Sequence, residues 1–265
     1  MEHLGNYEIK PFTKNRQNVV LVSSEGKRRR NAYALLEIDI TKAREIINKI
    51  KSEKNEDISF TGWIIKCVAE AVSEHKILNS YRLGRRKFVI FDDVDVSIPV
   101  EREVQGKSIL TVYIIRKANE KSLNEISKEI RTVQKQEVDP SLQVLGDVSA
   151  FESLVLHSPT FIKKIGLVLL RRRALLKKKH LGTIGVTAIG MKGRFPGYVI
   201  GAGGPVATLI AVGGISKKPG VFDDKIEIRE YLHVTIHIDH DLVDGSPLAR
   251  FTDRFVELLE IGYAL

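Results

Sequence analysis

Residues 231–245 read YLHVTIHIDHDLVDG, and this pattern predicts a strand that ends in a turn. Apolar and polar residues alternate along the stretch, which is typical of a strand with one buried face, and the alternation places His240 in phase with the buried side. Gly245 then permits a sharp turn, and residues 246–259 repeat apolar side chains at helical spacing, with Ser246 in the position of an N-cap. A histidine that points inward where a strand meets a turn is a candidate base, although a hydrogen-bonded core histidine is the more common case.

The motif around this histidine is more specific than the alternation alone. The spacing His240-x-x-x-Asp244-Gly245, followed by Ser-Pro-x-x-Arg-Phe, resembles the active-site segment of the dihydrolipoyl acyltransferases. Those proteins are the acyl-transferring cores of the 2-oxoacid dehydrogenase complexes, and chloramphenicol acetyltransferase is similar to them. Further segments resemble the same family in the same order: residues 60–81, 91–99, 121–130, 182–191 and 209–213. The resemblance implies the α/β fold of the coenzyme A-dependent acyltransferases over nearly the whole chain.

The composition is that of an ordinary globular protein, with 43% hydrophobic and 28% charged residues over 265 positions. A single cysteine excludes an intrachain disulfide, and Cys67 lies among apolar residues at helical spacing, so we interpret it as an inert core thiol. No signal peptide opens the chain and no apolar run reaches about 18 residues, so we expect a cytoplasmic protein.

Strand and helix patterns mix along the whole chain, which favours one α/β sandwich domain over residues 1–265, with a mixed sheet and flanking helices. The predicted strands are 32–40, 87–92, 94–101, 108–116, 183–188, 208–215 and the strand into His240. The predicted helices are 16–23, 41–52, 59–75, 123–133, 161–180 and 246–259. Turns are predicted at 105–106 and 219–224, and Ser122 with Glu125 predicts a capping box.

The net charge of +9 is concentrated in one segment. Residues 163–179 contain eight lysines and arginines and no acid, and the rest of the chain is nearly neutral, so we do not expect a nucleic acid as partner. We interpret residues 151–180 as a basic helical insertion in the family's core. Its cations form a solvated face, or they dock an acidic partner, an anionic membrane or the phosphates of coenzyme A.

The resemblance implies a role for each residue of the motif. It assigns His240 as the general base and Thr187 as the hydroxyl that hydrogen-bonds a tetrahedral intermediate, at a position where the family more often has serine. Asp244 matches a catalytic-site aspartate that, in the family, pairs with an arginine from the N-terminal region, and Arg16 is the matching arginine. Gly245 supports the site through its turn. Because ordinary thiols have a pKa of about 8.5 and imidazoles about 6.5, such a base takes the proton as attack proceeds.

Two other histidines of the stretch are candidate metal ligands. His233 and His237 are roughly 13 Å apart along the strand, which is too far to share one zinc ion, so we predict no metal and a structural role for both. They and Asp239 lie on the predicted outer face, opposite His240. Asp241 stands where the dihydrolipoyl acyltransferases usually have arginine, and this changes the charge beside the candidate base.

The resemblance implies an acyltransferase that moves an acyl group between coenzyme A and a thiol. Unlike the family, the sequence has no pattern of a lipoyl or subunit-binding domain before the core, so we expect a stand-alone form. The acceptor would be a dihydrolipoyl group on a separate protein. The assembly would be a homotrimer or a multiple of trimers, with His240 and Thr187 brought together from neighbouring chains. Two alternatives stay open: the same fold acetylating a small hydroxylated molecule, and a non-catalytic oligomeric scaffold that docks partners through the basic segment.

Overall fold

The computed structural model describes residues 5–54, 58–104, 107–136, 158–171, 173–191, 193, 195–201 and 203–265. These residues form one mixed sheet of six strands and a separate two-stranded hairpin, flanked by helices, so the predicted α/β fold class is confirmed. The strands are β1 (Asn31–Asp39), β2 (Ser80–Leu83), β3 (Lys87–Ile90), β4 (Val96–Val104), β5 (Lys107–Ile115), β6 (Ile184–Ala188), β7 (Thr208–Phe222) and β8 (Lys225–Asp239). The helices are α1 (Lys14–Ser23), α2 (Thr41–Lys54), α3 (Phe60–Glu74), α4 (Leu123–Lys135), α5 (Thr160–Arg171), α6 (Ala174–Leu181) and α7 (Gly245–Glu260). No described helix is both long and apolar enough to cross a membrane.

The strand order β1-β8-β7-β6-β4-β5 determines the surroundings of the candidate site. β6 runs parallel to both β4 and β7, whereas the other neighbouring strands of the sheet are antiparallel. β1 pairs with the last strand so that Asn31 lies opposite Asp239. The basic loop before β1 therefore lies beside the end of β8, where the candidate base follows.

One face of the sheet is packed against α3, α4 and α7 in the hydrophobic core. Phe251 and Phe255 of α7 are fully buried, with parallel rings 5.9 Å between centroids. Trp63 of α3 is also buried and its indole N–H donates to the Tyr263 carbonyl at 2.9 Å. Cys67 lies in this core, as predicted, and burial raises the pKa of its thiol. Full burial of side chains of this size contributes roughly 2–3 kcal/mol each, so the core face holds the sheet in place.

Two predicted boundaries at the end of the chain are wrong. The turn predicted at 219–224 is part of a long ribbon, because β7 continues to Phe222 and Pro219 pairs with Ile228 of β8. The turn itself is confined to Asp223 and Asp224, both with positive φ. Ser246 is not the N-cap of the last helix, because that position belongs to Asp244 and the Ser246 hydroxyl instead accepts from a guanidinium inside the helix. The predicted turn at 105–106 lies outside the described residues.

The predicted basic helix 161–180 is two helices, α5 and α6, and several of its cations are used in contacts with the rest of the chain. On α5, Lys163 is buried and donates to Asn18 of α1 at 2.7 Å, and Arg171 pairs with Glu25. On α6, the Lys177 ammonium lies 5.3 Å from the centre of the Tyr81 ring. A single solvated basic face is therefore not what the structure contains.

Candidate active site

His240 follows the last residue of β8 and has its backbone held on two sides. Its N–H donates to the Arg30 carbonyl at 2.8 Å, and the N–H of Asp239 donates to the Ala207 carbonyl at 2.8 Å. The predicted inward orientation is wrong, because the strand ends at Asp239 and the His240 side chain is exposed. Alternation stops where the turn begins, since Leu242 already donates back to the Asp239 carbonyl at 2.9 Å.

The exposed ring of His240 lines a groove of about 580 Å³, which we call the His240 groove. It is lined by Arg30, Arg82, Arg85, Arg86, Lys87, Phe88, His240, Asp241 and Leu242. Five of these side chains are cationic and one is a carboxylate, so the groove attracts anions. The basic residues come mainly from β2, β3 and the turn between them, a cluster that the sequence patterns did not identify as part of the site.

Asp241 does not make this groove acidic, although it stands where the family usually has arginine. Its carboxylate accepts from Arg30 at 2.8 Å and lies 3.9 Å from Arg82. Arg85, Arg86 and Lys87 form no ion pair with any residue that the structure describes. The groove therefore stays positively charged, because arginines from other parts of the chain neutralise Asp241 and exceed it in number.

Thr187 lines a different groove, of about 440 Å³, which we call the Thr187 groove. Thr187 is half-buried on β6, on the sheet face opposite the core residue Val186. Arg16 of α1 lines the same groove. The rest of its lining is largely apolar and comes from α1, from β4, β5 and β6, from the loop before β7, and from Leu181 of α6 and Leu209 of β7.

Within one chain, Thr187 and His240 are too far apart to act on the same atoms. Thr187 lies opposite Ala211, and Ala211 lies opposite Thr235, which precedes His240 by five positions. With about 4.8 Å between strands and about 3.3 Å per residue, the two side chains begin roughly 19 Å apart. A reacting centre has to lie about 3 Å from each group, so one chain alone does not assemble this pair.

Asp244 and Gly245 begin the last helix, and within the described residues neither forms a hydrogen bond or ion pair with Arg16. Asp244 is exposed, and it forms no ion pair with any described residue, so the expected pairing with Arg16 is absent from the described chain. Gly245 has no positive φ, and an added Cβ would meet open space. The chain itself therefore does not need glycine at this position for its turn, contrary to the prediction.

Arg29 is a residue of this region that the sequence patterns missed. Its guanidinium donates to the Gly204 carbonyl at 3.3 Å and also to the carbonyls of Pro205 and Val206, and it lies 3.5 Å from the Asp239 carboxylate. Arg29 and Asp239 are both nearly buried, so the outer face on which the alternation places Asp239 is not exposed at this residue. The position of the Lys-Arg-Arg-Arg run directly before β1 was the available signal, because β1 pairs with β8.

His233 and His237 are buried, and the prediction that they lie on an exposed face is wrong. His233 is held between the Gly214 carbonyl at 2.9 Å and Glu37 at 3.1 Å. His237 packs edge-on against the Tyr33 ring, and both its ring nitrogens lack a hydrogen-bond partner among the described residues. Burial lowers the pKa of His237, which favours the neutral ring. The described part of the chain contains no group of three or more metal-ligating side chains.

Known proteins share the fold of this chain, and a family model matches most of its length. Over 96% of both chains, the fold is similar to that of chloramphenicol acetyltransferase, with a TM-score of 0.52 and 15% identity. Residues 6–144 and 171–264 match the model of the family "2-oxoacid dehydrogenases acyltransferase (catalytic domain)". The chain belongs to this family. The match leaves out residues 145–170, which overlap the predicted insertion and include nearly all of α5.

Individual relatives agree with the family assignment. The lipoamide acyltransferase component of the branched-chain alpha-keto acid dehydrogenase complex of Bacillus subtilis is 26% identical over 87% of this chain and 46% of its own length. The chain thus spans about half the length of the curated relatives it matches. A probable dihydrolipoamide acetyltransferase from Listeria monocytogenes has a TM-score of 0.70 and 24% identity, over 98% of this chain and 97% of its own.

A third similar structure is the dihydrolipoamide acetyltransferase of Azotobacter vinelandii. Its TM-score is 0.69 with 17% identity, over 98% of this chain and 93% of its own. The work on that protein concerns the roles of a serine, a histidine and an asparagine in its catalytic mechanism.

Proposed function

We propose that this chain transfers acyl groups between coenzyme A and a thiol, with dihydrolipoyl on a separate protein as the acceptor. The observation that carries the proposal is that a member of this acyltransferase family places His240 and Thr187 in two separate grooves. Ideal strand spacing puts the two residues roughly 19 Å apart. Such a pair becomes a site when two copies associate. His240 of one copy then faces Thr187 of its neighbour, in a trimer or a multiple of trimers.

The Azotobacter protein supports the choice of residues. Its histidine and asparagine are four positions apart, as His240 and Asp244 are here, and its serine precedes the histidine by 52 positions, against 53 between Thr187 and His240. Serine and threonine both offer the hydroxyl donor that an oxyanion needs. No contact within the described chain gives a role in the site to Asp244, Gly245 or Arg16. We therefore assign their support of the active-site geometry to the assembled oligomer.

The proposed chemistry uses His240 as a proton acceptor and donor. The acceptor sulfur attacks the thioester carbonyl carbon while the imidazole takes the thiol proton, and Thr187 donates a hydrogen bond to the oxyanion that forms. The carbon–sulfur bond to coenzyme A then breaks, and the imidazolium returns the proton to the leaving thiolate. The neighbouring copy would cover the exposed ring of His240, which would exclude water from the thioester.

The His240 groove fits the phosphate-bearing end of coenzyme A. Arg85, Arg86 and Lys87 are exposed cations without an ion-pair partner in the described chain, and they line the groove that also contains His240. Phosphate groups are strong acceptors for guanidinium and ammonium donors. A ligand anchored by its phosphates in this groove would extend its thiol arm along the surface that contains His240.

The direct test is turnover of acetyl-coenzyme A with dihydrolipoamide, followed by chromatographic detection of the S-acetyl product. His240→Ala should slow the reaction by about 10²–10⁴. Thr187→Val should slow it by about 10²–10³, whereas Thr187→Ser, which keeps the hydroxyl, should retain most of the rate. Turnover that is unaffected by His240→Ala, or acetylation of a small hydroxylated acceptor in preference to the dithiol, would contradict the proposal.

A further inference from the structure

Helix α5 presents an apolar face to solvent while two of its cations face the protein, which is unusual for a surface helix. Lys163 and Arg171 face the body and bind Asn18 and Glu25. The outward residues are Phe161, Ile162, Ile165, Val168 and Leu169, which we call the α5 face. At 100° per residue they cover about 120° of the helix circumference, so they form one continuous stripe.

The exposure of this stripe is large. Phe161 is 64% exposed and Ile165 58%. Two more exposed leucines, Leu175 and Leu176, follow on α6. Contiguous apolar surface of this kind usually marks a site of interaction, because single exposed apolar residues are common but continuous patches are not. Nearly all of α5 also lies outside the residues matched by the family model, so the catalytic fold does not account for it.

Charge around the stripe selects the kind of surface that covers it. Residues 158–180 contain no carboxylate. Lys164 at the edge of the α5 face and Arg173 just beyond the helix are exposed and form no ion pair with any residue in the described ranges. A second copy that docked through the same face would oppose like charges. A surface that is apolar inside and negative outside complements both features.

We propose that the α5 face docks this protein on an anionic lipid surface. The helix has 12 residues and is about 18 Å long, well short of the roughly 30 Å hydrocarbon core, so it lies in the plane of the interface and does not span it. Phe161, Ile165 and Leu169 enter the boundary between headgroups and acyl chains, and Lys164 and Arg173 contact lipid phosphates. The enzyme core is thereby held at the membrane surface.

The test is co-sedimentation of the full chain with vesicles of phosphatidylcholine alone and of phosphatidylcholine with phosphatidylserine. We expect binding to the anionic vesicles only, weakened by salt. Phe161→Ser with Ile165→Ser should lower the partition coefficient roughly tenfold or more, because two exposed apolar side chains no longer enter the lipid. The matched control is Val221→Ser with Ile226→Ser, two paired apolar residues near the tip of the β7–β8 ribbon that are 77% and 80% exposed.

Three results would overturn the proposal: no vesicle binding by the unaltered chain, equal binding to neutral vesicles, or equal loss in the control. If the chain does not bind vesicles and the α5 substitutions lower the mass of the oligomer in light scattering, the α5 face instead contacts a second copy. If the chain does not bind vesicles and an acidic peptide protects Lys164 from acetylation, the α5 face binds an acidic protein. Acyl transfer in vesicle-free solution should be the same for the unaltered chain and the α5 variant, so that loss of lipid binding is separable from loss of folding.

Discussion

Removing two cations from the His240 groove should weaken acyl-coenzyme A binding and leave the chemical step unchanged. Arg85 and Arg86 line the groove, are exposed, and form no ion pair with the described residues. At a separation of about 4 Å in water, each guanidinium–phosphate contact is worth about 1 kcal/mol. The double variant Arg85→Ala/Arg86→Ala should therefore raise the KM for acetyl-coenzyme A by about 30-fold at low salt.

The assay compares two substrates and two variants. Acetyl-pantetheine carries the same thioester and arm without the phosphates at the far end, so its kcat and KM should not respond to the double substitution. The control variant Lys49→Ala/Lys128→Ala removes the same charge from exposed lysines of α2 and α4, outside the groove. About 0.5 M salt should remove most of the difference in KM, because it screens exposed charges over a few ångströms.

The result that refutes this reasoning is a KM that rises equally for acetyl-pantetheine and acetyl-coenzyme A. It would show that the arginines shape the thioester site and do not bind phosphate. A fall in kcat without a change in KM would refute it too.

Three further outcomes concern stability. Because burial lowers the pKa of His237, the unfolded chain takes up a proton near the ordinary histidine pKa of about 6.5, and the folded chain does so only at a lower pH. Stability therefore falls as the pH drops below about 6.5, and His237→Gln should remove up to about 1.4 kcal/mol per pH unit of that fall. Denaturant unfolding at about pH 8 and about pH 5.5 measures the difference, and an unchanged pH slope would contradict it. Arg29→Ala should cost about 2–4 kcal/mol of unfolding free energy, because Asp239 and three part-buried carbonyls lose their partner. The exposed neighbour is the control, since Arg30→Ala should cost under about 1 kcal/mol, and equal losses would rule out the role of Arg29. Gly245→Ala should leave the free energy of unfolding unchanged or raise it by about 0.5 kcal/mol, because an added Cβ meets open space. A clear loss of stability would show that the turn does need glycine.

The sequence was sufficient for most elements because their local signals agree with their packing. In α4, Ser122 accepts from the Glu125 N–H at 3.3 Å and Glu125 accepts from the Ser122 N–H at 2.8 Å, as the capping box predicts. The ribbon of β7 and β8 is different. Pro219 and Gly220 are typical turn residues, but here they lie within a ladder that extends well past the core, and the pairing of distant strands overrides the local preference.

The site was harder to predict because it depends on how distant segments meet. Alternation placed His240 inward, yet the strand ends one residue earlier and the side chain faces a groove formed largely by the β2–β3 hairpin. The arginines of that hairpin have no periodic signal, and Arg29 becomes recognisable only from the pairing of β1 with β8. The separation of Thr187 from His240 follows from the register of three strands, which a single sequence does not specify.

Subunit mixing tests the proposed site between chains most directly. His240→Ala and Thr187→Val each lack one half of the pair, so each should be nearly inactive in acetyl transfer to dihydrolipoamide. When the two are refolded together in equal amounts, about a quarter of the interfaces should combine an intact histidine from one chain with an intact threonine from its neighbour, and about a quarter of the unaltered activity should return. Mixed oligomers that form in full and stay inactive would show that the two residues do not meet across an interface.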